Sequence, residues 1–131
     1  PDVQEVSTGL SNSQKIQLSI VAVNGQCLAH GSIHRATACL AAAELLSAEG
    51  IEVSVLRLTR LDPLPVAGLE AALSGCRHLL IAEEAFNGAA LGAGISHALR
   101  SAVPGCRVTC RDLGSEFVTH GALADLYAKH G

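Results

Sequence analysis

Between positions 79 and 99 the sequence changes character twice, and each change restricts the folds open to it. Residues 79–82, Leu-Leu-Ile-Ala, are a continuous apolar run. A run without polar alternation suits a strand covered on both faces, as in a parallel sheet with helices above and below. Glu83 and Glu84 follow at once. They stand where open α/β sheets place functional groups, in the crevice beyond a strand's carboxyl end. Gly88, Gly92 and Gly94 come next, with Ala89, Ala90 and Ala93 between them. A backbone this bare can turn tightly and enter a helix packed close on the sheet. Leu91, Ile95, Ala98 and Leu99 then recur at helical spacing.

The rest of the chain repeats the alternation of strand and helix. Residues 1–14 are rich in Ser, Asn and Gln, and only positions 3–6 have the composition of a short edge strand. The stretch 16–23 alternates Ile16, Leu18 and Ile20 and then becomes continuously apolar, a strand closed by Asn24-Gly25. From Ser32, a suitable N-cap, Ile33, Ala36, Leu40, Ala43 and Leu46 mark a long helix that Gly50 ends. Residues 51–58 form a second core strand. The Asp62-Pro63-Leu64-Pro65 break seeds a helix that turns Val66, Leu69 and Leu73 toward the sheet. Gly75 ends that helix, 78–82 is the third core strand, and the glycine-alanine helix runs to about 102, where Pro104-Gly105 stops it. A short strand over 108–112 follows, then a last helix starting near Thr119 or His120 and burying Leu123, Leu126 and Tyr127. The expected fold is a three-layer α/β/α sandwich around a mostly parallel sheet, with an N-terminal edge segment over 1–15 and one domain over 16–131.

Composition narrows the function. At 131 residues, with 49% hydrophobic and 16% charged, the chain is long enough to bury roughly two thirds of its unfolded surface in one core. A net charge of -3 gives no footprint for nucleic acid, and no signal peptide or membrane-length apolar run is present. Cys27, Cys39, Cys76, Cys106 and Cys110 have no secreted-framework spacing and no CxxC, so a reducing cytoplasm and buried, inert thiols are expected. A start at Pro1 without methionine reads as a fragment of a longer protein.

Each candidate site has two readings. Glu83 and Glu84 suit a general acid/base pair or, structurally, a helix cap or subunit contact; being consecutive on a strand, they point to opposite faces. Gly88, Gly92 and Gly94 suit an anion cradle, but after Gly92 and Gly94 the dinucleotide spacing fails at His97, and close backbone packing is the better account. Cys27, His30 and His34 have metal-ligand chemistry, but Gly31-Ser32 interrupts the helix between the histidines, so a surface loop without metal is expected. Nucleophile-elbow and phosphate-loop motifs do not occur.

The buried strand, Glu83-Glu84 and the glycine-bearing helix start resemble the C-terminal domain of the transketolase family of thiamine diphosphate enzymes. Gly92 falls on the family pattern, while Ala89 and Ala90 stand where two adjacent glycines are usual. Pro63-Leu64 matches the family's Pro-Leu-Asp turn, with Pro65 replacing the aspartate. The tail, Glu116-Phe117-Val118-Thr119-His120-Gly121, is similar to the phenylalanine and His-Gly near the end of 1-deoxy-D-xylulose-5-phosphate synthases, with Ser115 replacing an aspartate. The resemblance spans about residues 16–130 and implies a five-stranded sheet whose first strand is antiparallel. It also implies a parent enzyme that uses thiamine diphosphate and magnesium to join pyruvate to glyceraldehyde 3-phosphate for isoprenoid precursors, and in which this domain supports a homodimer. Such an enzyme binds cofactor through Gly-Asp-Gly and a downstream asparagine; Gly-Asp-Gly is absent, so no catalytic, cofactor or metal residue is expected in this chain. Glu83, Glu84, Gly88, Gly92, Phe117 and His120 are instead expected as structural and interface residues, meeting other domains or subunits of the parent. The competing readings are the C-terminal subunit of a split transketolase or of a 2-oxo acid dehydrogenase E1 beta chain, and a free-standing flavodoxin-like module binding an anion at the glycine turn.

Overall fold

Five short β-rich segments and four helices alternate along the chain in a computed structural model, which describes residues 3–6, 18–23, 32–58, 60, 62–83 and 91–130. The strands are β1 (Val3–Val6), β2 (Leu18–Val23), β3 (Val53–Leu58), β4 (His78–Ala82) and β5 (Arg107–Arg111); the helices are α1 (Ser32–Ala48), α2 (Val66–Ala72), α3 (Leu91–Ala102) and α4 (Leu123–His130). They build one five-stranded sheet in the order β1-β3-β2-β4-β5. β2 pairs parallel with both β3 and β4, and β4 pairs parallel with β5. β1 runs antiparallel on the edge, with Val3 opposite Leu58 and Val6 opposite Val55.

The alternation along β3 shows why this is a sandwich. Val53 and Val55 face one side, where Ala43, Leu40 and Leu46 of α1 cover them together with Ile51 and Leu80. Leu56 and Leu58 face the other side and join Leu69 and Leu73 beside α2 and α3, with Leu79, Ile81, Ile95 and Leu99. Successive strand residues thus enter different cores, which is why 79–82 reads as an unbroken apolar run. Among the described residues the second core is the larger, and its aliphatic side chains are almost wholly buried.

Glycine closes α1 at the expected place. Gly50 has φ +80°, its N–H donates to the carbonyl of Ser47, and the N–H of Ile51 donates to that of Leu46 at 2.9 Å. This pair of bonds satisfies two carbonyls left open at the helix end, and it needs a left-handed residue at position 50. Pro65 occupies the N-cap position of α2, with the helix beginning at Val66.

α4 departs from the sequence expectation. It begins at Leu123, where Asp125 and Leu126 donate to the carbonyl of Ala122, rather than near Thr119 or His120. Gly121, a poor helix former, lies in the intervening stretch. Nor does α4 fully bury its apolar residues: Leu123 is 58% and Tyr127 47% exposed, and Leu126 is half-buried. Helical spacing gave the apolar stripe correctly, but the stripe stays largely exposed to solvent.

Candidate functional site

The glutamate-glycine element is organised by the carboxyl end of β4. β4 lies beside β2, and the connections leaving these two parallel neighbours run to opposite sides of the sheet: β2 leads to β3 and β4 to β5. Glu83 stands one residue beyond β4 at this reversal, and its N–H donates to the carbonyl of Arg111 at 2.9 Å, extending the ladder to β5. Like Leu79 and Ile81 before it, its side chain points to the α3 face. There one carboxylate oxygen, Oε1, accepts the backbone N–H of Gly92 at 2.5 Å. Gly92 is the second residue of α3, so the carboxylate takes up one of the amide protons that a helix leaves unpaired in its first turn. It also sets a negative charge against the positive end of the helix dipole.

Gly92 has no room for a side chain. A Cβ there would collide with Glu83 Oε1 and lie 3.0 Å from Cys110 Sγ. Gly94 differs: a Cβ there meets nothing within 4 Å, so close packing explains Gly92 and not Gly94. Cys110, contributed by β5, is the third member of this cluster and was not singled out as part of it from sequence. The register that sets Ala82 beside Arg111 brings it over α3, and register is not legible in a single strand. Partial burial raises the Cys110 thiol above its ordinary pKa, with the negative charges of Glu83 and Asp112 adding to the effect.

The other predicted positions separate. Glu84 and Gly88 lie outside the described residues, as do Cys27 and His30; His34 falls within α1. Phe117 and His120 sit on the segment between β5 and α4, distant in sequence from the glutamate. Both are exposed, Phe117 to 80%. Phe117, Leu123 and Tyr127 are three of the four large apolar side chains exposed among the described residues, the other being Leu45 of α1. Among the described cysteines the expectation of burial holds for Cys76 alone: Cys39 and Cys106 are half-buried and Cys110 is exposed. Strand alternation near a sheet edge opens one side to solvent, and β5 is an edge strand.

The described residues contain no group of three or more His, Cys, Asp or Glu able to hold a metal ion, and no helix long and apolar enough to cross a membrane. Gly-Asp-Gly does not occur in the sequence. What the element can do chemically is fix the start of α3 to the ends of β4 and β5.

Comparison with known proteins agrees with this architecture. A sequence model of the transketolase C-terminal domain matches residues 28–131. Two 1-deoxy-D-xylulose-5-phosphate synthases are similar: that of Chlorobium luteolum is 32% identical over 72% of this chain, and that of Chlorobaculum tepidum 33% identical over 70%. The aligned regions amount to 15% and 14% of those enzymes, so the chain corresponds to a small part of each. Among solved structures, a split-gene transketolase described as an inactive beta4 tetramer superposes with a TM-score of 0.67 at 23% identity, over 90% of this chain and 35% of that one. A 2-oxoglutarate:ferredoxin oxidoreductase from Magnetococcus marinus superposes with a TM-score of 0.52 at 20% identity, over 89% of this chain and 18% of that one. The sheet order with its antiparallel edge strand, the Glu83-to-Gly92 helix start and a family match over most of its length establish that this chain belongs to the transketolase C-terminal domain family.

Proposed function

We propose that the chain is the C-terminal domain of a thiamine diphosphate-dependent enzyme of the 1-deoxy-D-xylulose-5-phosphate synthase type, and that it supports the assembly of that enzyme and not its chemistry. The identity of about one third to two such synthases supports the branch. The observation that carries the role is where the chain spends its side chains. Glu83 is engaged by the backbone of α3, whereas Phe117, Leu123 and Tyr127 put large apolar surface into solvent along the C-terminal segment. Apolar patches of this kind mark surfaces that are covered in an assembly. Here the cover is supplied by other domains of the same polypeptide or by its symmetry mate in a homodimer, in the cytoplasm. Glu83 and Gly92 act as structural residues at the sheet end, Glu84 and Gly88 share that structural role, and Phe117 and His120 act as interface residues.

In this reading thiamine diphosphate and magnesium are held elsewhere in the parent enzyme. The enzyme would release carbon dioxide from pyruvate and join the remaining two carbons to glyceraldehyde 3-phosphate. Two measurements test the proposal. The full-length protein, supplied with thiamine diphosphate and magnesium, is expected to consume this substrate pair; turnover of transketolase sugar phosphates in its place would refute the branch. The isolated domain is expected to show no saturable thiamine diphosphate binding by calorimetry, and micromolar binding would refute the supporting role.

A further inference from the structure

Two cysteines that lie 30 positions apart in sequence meet at the amino ends of neighbouring strands. Cys76 precedes β4 and Cys106 precedes β5, and the N–H of Arg107 donates to the carbonyl of Arg77 at 2.8 Å, tying the two approaches together. Their sulfurs are 3.7 Å apart, with the Cys106 thiol donating toward Cys76 Sγ. The Cys76 thiol in turn donates to the carbonyl of His78 at 3.1 Å. Cys76 is 5% exposed, and Cys106 is half-buried. The backbone on both sides is fixed, Cys76 through Leu73 and Cys106 through Val103. A disulfide bond of about 2.05 Å requires the sulfurs to close by roughly 1.6 Å, within reach of small rotations about the two Cα–Cβ bonds.

We propose that Cys76 and Cys106 form a dithiol couple that closes to an intrachain disulfide by exchange with a small-molecule disulfide. This inference is independent of the enzyme branch proposed above. Cys106, the more accessible sulfur, loses its proton and attacks one sulfur of the reagent RSSR, giving a Cys106 mixed disulfide and one RSH. Cys76, whose sulfur already receives the Cys106 thiol, then attacks the Cys106 sulfur and expels the second RSH. Two thiols are oxidised, one disulfide is reduced to two thiols, and both protons leave on the products. Burial and the adjacent Cys76 push the Cys106 thiol up to about 11, which slows the first step at neutral pH. The second step is intramolecular: Cys76 loses its proton and attacks across a pair whose sulfurs already lie 3.7 Å apart.

The test uses the purified full-length protein with glutathione disulfide as the probe, quenched in acid and mapped by peptide mass spectrometry. The expected product is a Cys76–Cys106 disulfide, with loss of two countable thiols and a rate rising about tenfold per pH unit between pH 8 and 10, as for attack by a thiolate whose thiol titrates near 11. Cys76→Ala should stall at a glutathione adduct on Cys106, and Cys106→Ala should abolish both adduct and disulfide at this pair. Persistence of the Cys106 adduct in the unmodified protein overturns the proposal. So does pairing dominated by Cys110 or another cysteine, and so does reaction only after the chain is unfolded in urea.

Discussion

The Glu83 carboxylate and the Gly92 amide, nine positions apart, meet at 2.5 Å and join the end of β4 to the start of α3. The bond depends on the absence of a side chain at position 92, because a Cβ there would occupy the space of the carboxylate oxygen. Two glycines of the same helix therefore differ in what they do. Gly92→Ala must displace Glu83 and press on Cys110, losing a charge-assisted hydrogen bond that contributes about 1.5 to 3 kcal/mol, against a helix-propensity gain of at most ~1 kcal/mol. A net loss of stability is expected. Gly94→Ala meets open space and should stabilise by about 0.5 to 1 kcal/mol. Urea melts of the two variants are expected to move in opposite directions; the same sign in both would show that the bond to Gly92 contributes little.

Glu83→Gln keeps the shape of the side chain and removes its charge. With the acceptor weakened and the dipole contribution lost, stability should fall by about 1 to 3 kcal/mol. In the full-length protein, turnover per intact assembly should stay within about twofold, since a general acid or base typically contributes 100-fold or more. Parallel urea melts and steady-state rates at fixed protein concentration measure both. A rate collapse at unchanged stability would identify Glu83 as a reacting group.

Much of this element was legible in the sequence because its signals are local. Residues 79–82 read as a strand covered twice since both faces of β4 meet helices or neighbouring core, and Gly50 read as a helix end since position 50 needs a positive φ. The pairings were not legible. Nothing near Cys76 in sequence indicates Cys106, and nothing near Gly92 indicates Cys110; both depend on the parallel register of β4 with β5. The apolar stripe of α4 carried helical period but not the identity of what covers it, so burial was expected where the structure shows exposure. The direction of β1 came from resemblance to a family, and the pairing of Val3 with Leu58 bears it out.

Gly50→Ala isolates the cost of the backbone turn that ends α1. A Cβ at position 50 meets no atom within 4 Å, so packing does not contribute. Holding φ at +80° costs a residue with a side chain roughly 1 to 2 kcal/mol, and a melt should show a loss of that size. No loss would mean that the turn relaxes and that the bonds to Leu46 and Ser47 contribute little to stability.

Stability at alkaline pH should fall, and the thiols give the sign. The folded state holds Cys106 at about 11, above the ordinary thiol value of 9.0, because burial and then the neighbouring Cys76 disfavour its thiolate. The unfolded chain therefore ionises first. The contribution is complete below pH 9 and is lost as pH rises from about 9 to 11. Cys39 and Cys110, also raised by burial, act in the same direction. Comparing urea midpoints at pH 8 and pH 10.5, Cys106→Ala should lose less than the unmodified chain; an equal or greater loss would remove Cys106 as a contributor.

Phe117 separates the stability of the domain from that of the assembly. Its ring is 80% exposed, so Phe117→Ser removes almost no buried contact within this chain, and the isolated domain should keep its stability to within about 0.5 kcal/mol. Leu69→Ala supplies the opposite case: Leu69 is wholly buried between α2 and the sheet, and its truncation should cost about 2 to 5 kcal/mol in the domain itself. In the full-length protein the order should reverse for assembly. If Phe117 is covered by a symmetry mate in the proposed homodimer, Phe117→Ser exposes that partner's apolar surface and leaves a gap, and dimer affinity should fall by roughly 10-fold or more, the range for losing a buried aromatic anchor. Pairing Phe117→Ser with Tyr127→Ser tests whether the two side chains share one surface, since contacts on a common patch give a combined loss that departs from the sum. Sedimentation across a concentration series, alongside melts of the isolated domain, reads both quantities. An unchanged dimer constant with unchanged domain stability would show that the exposed C-terminal face is not covered by a symmetry mate.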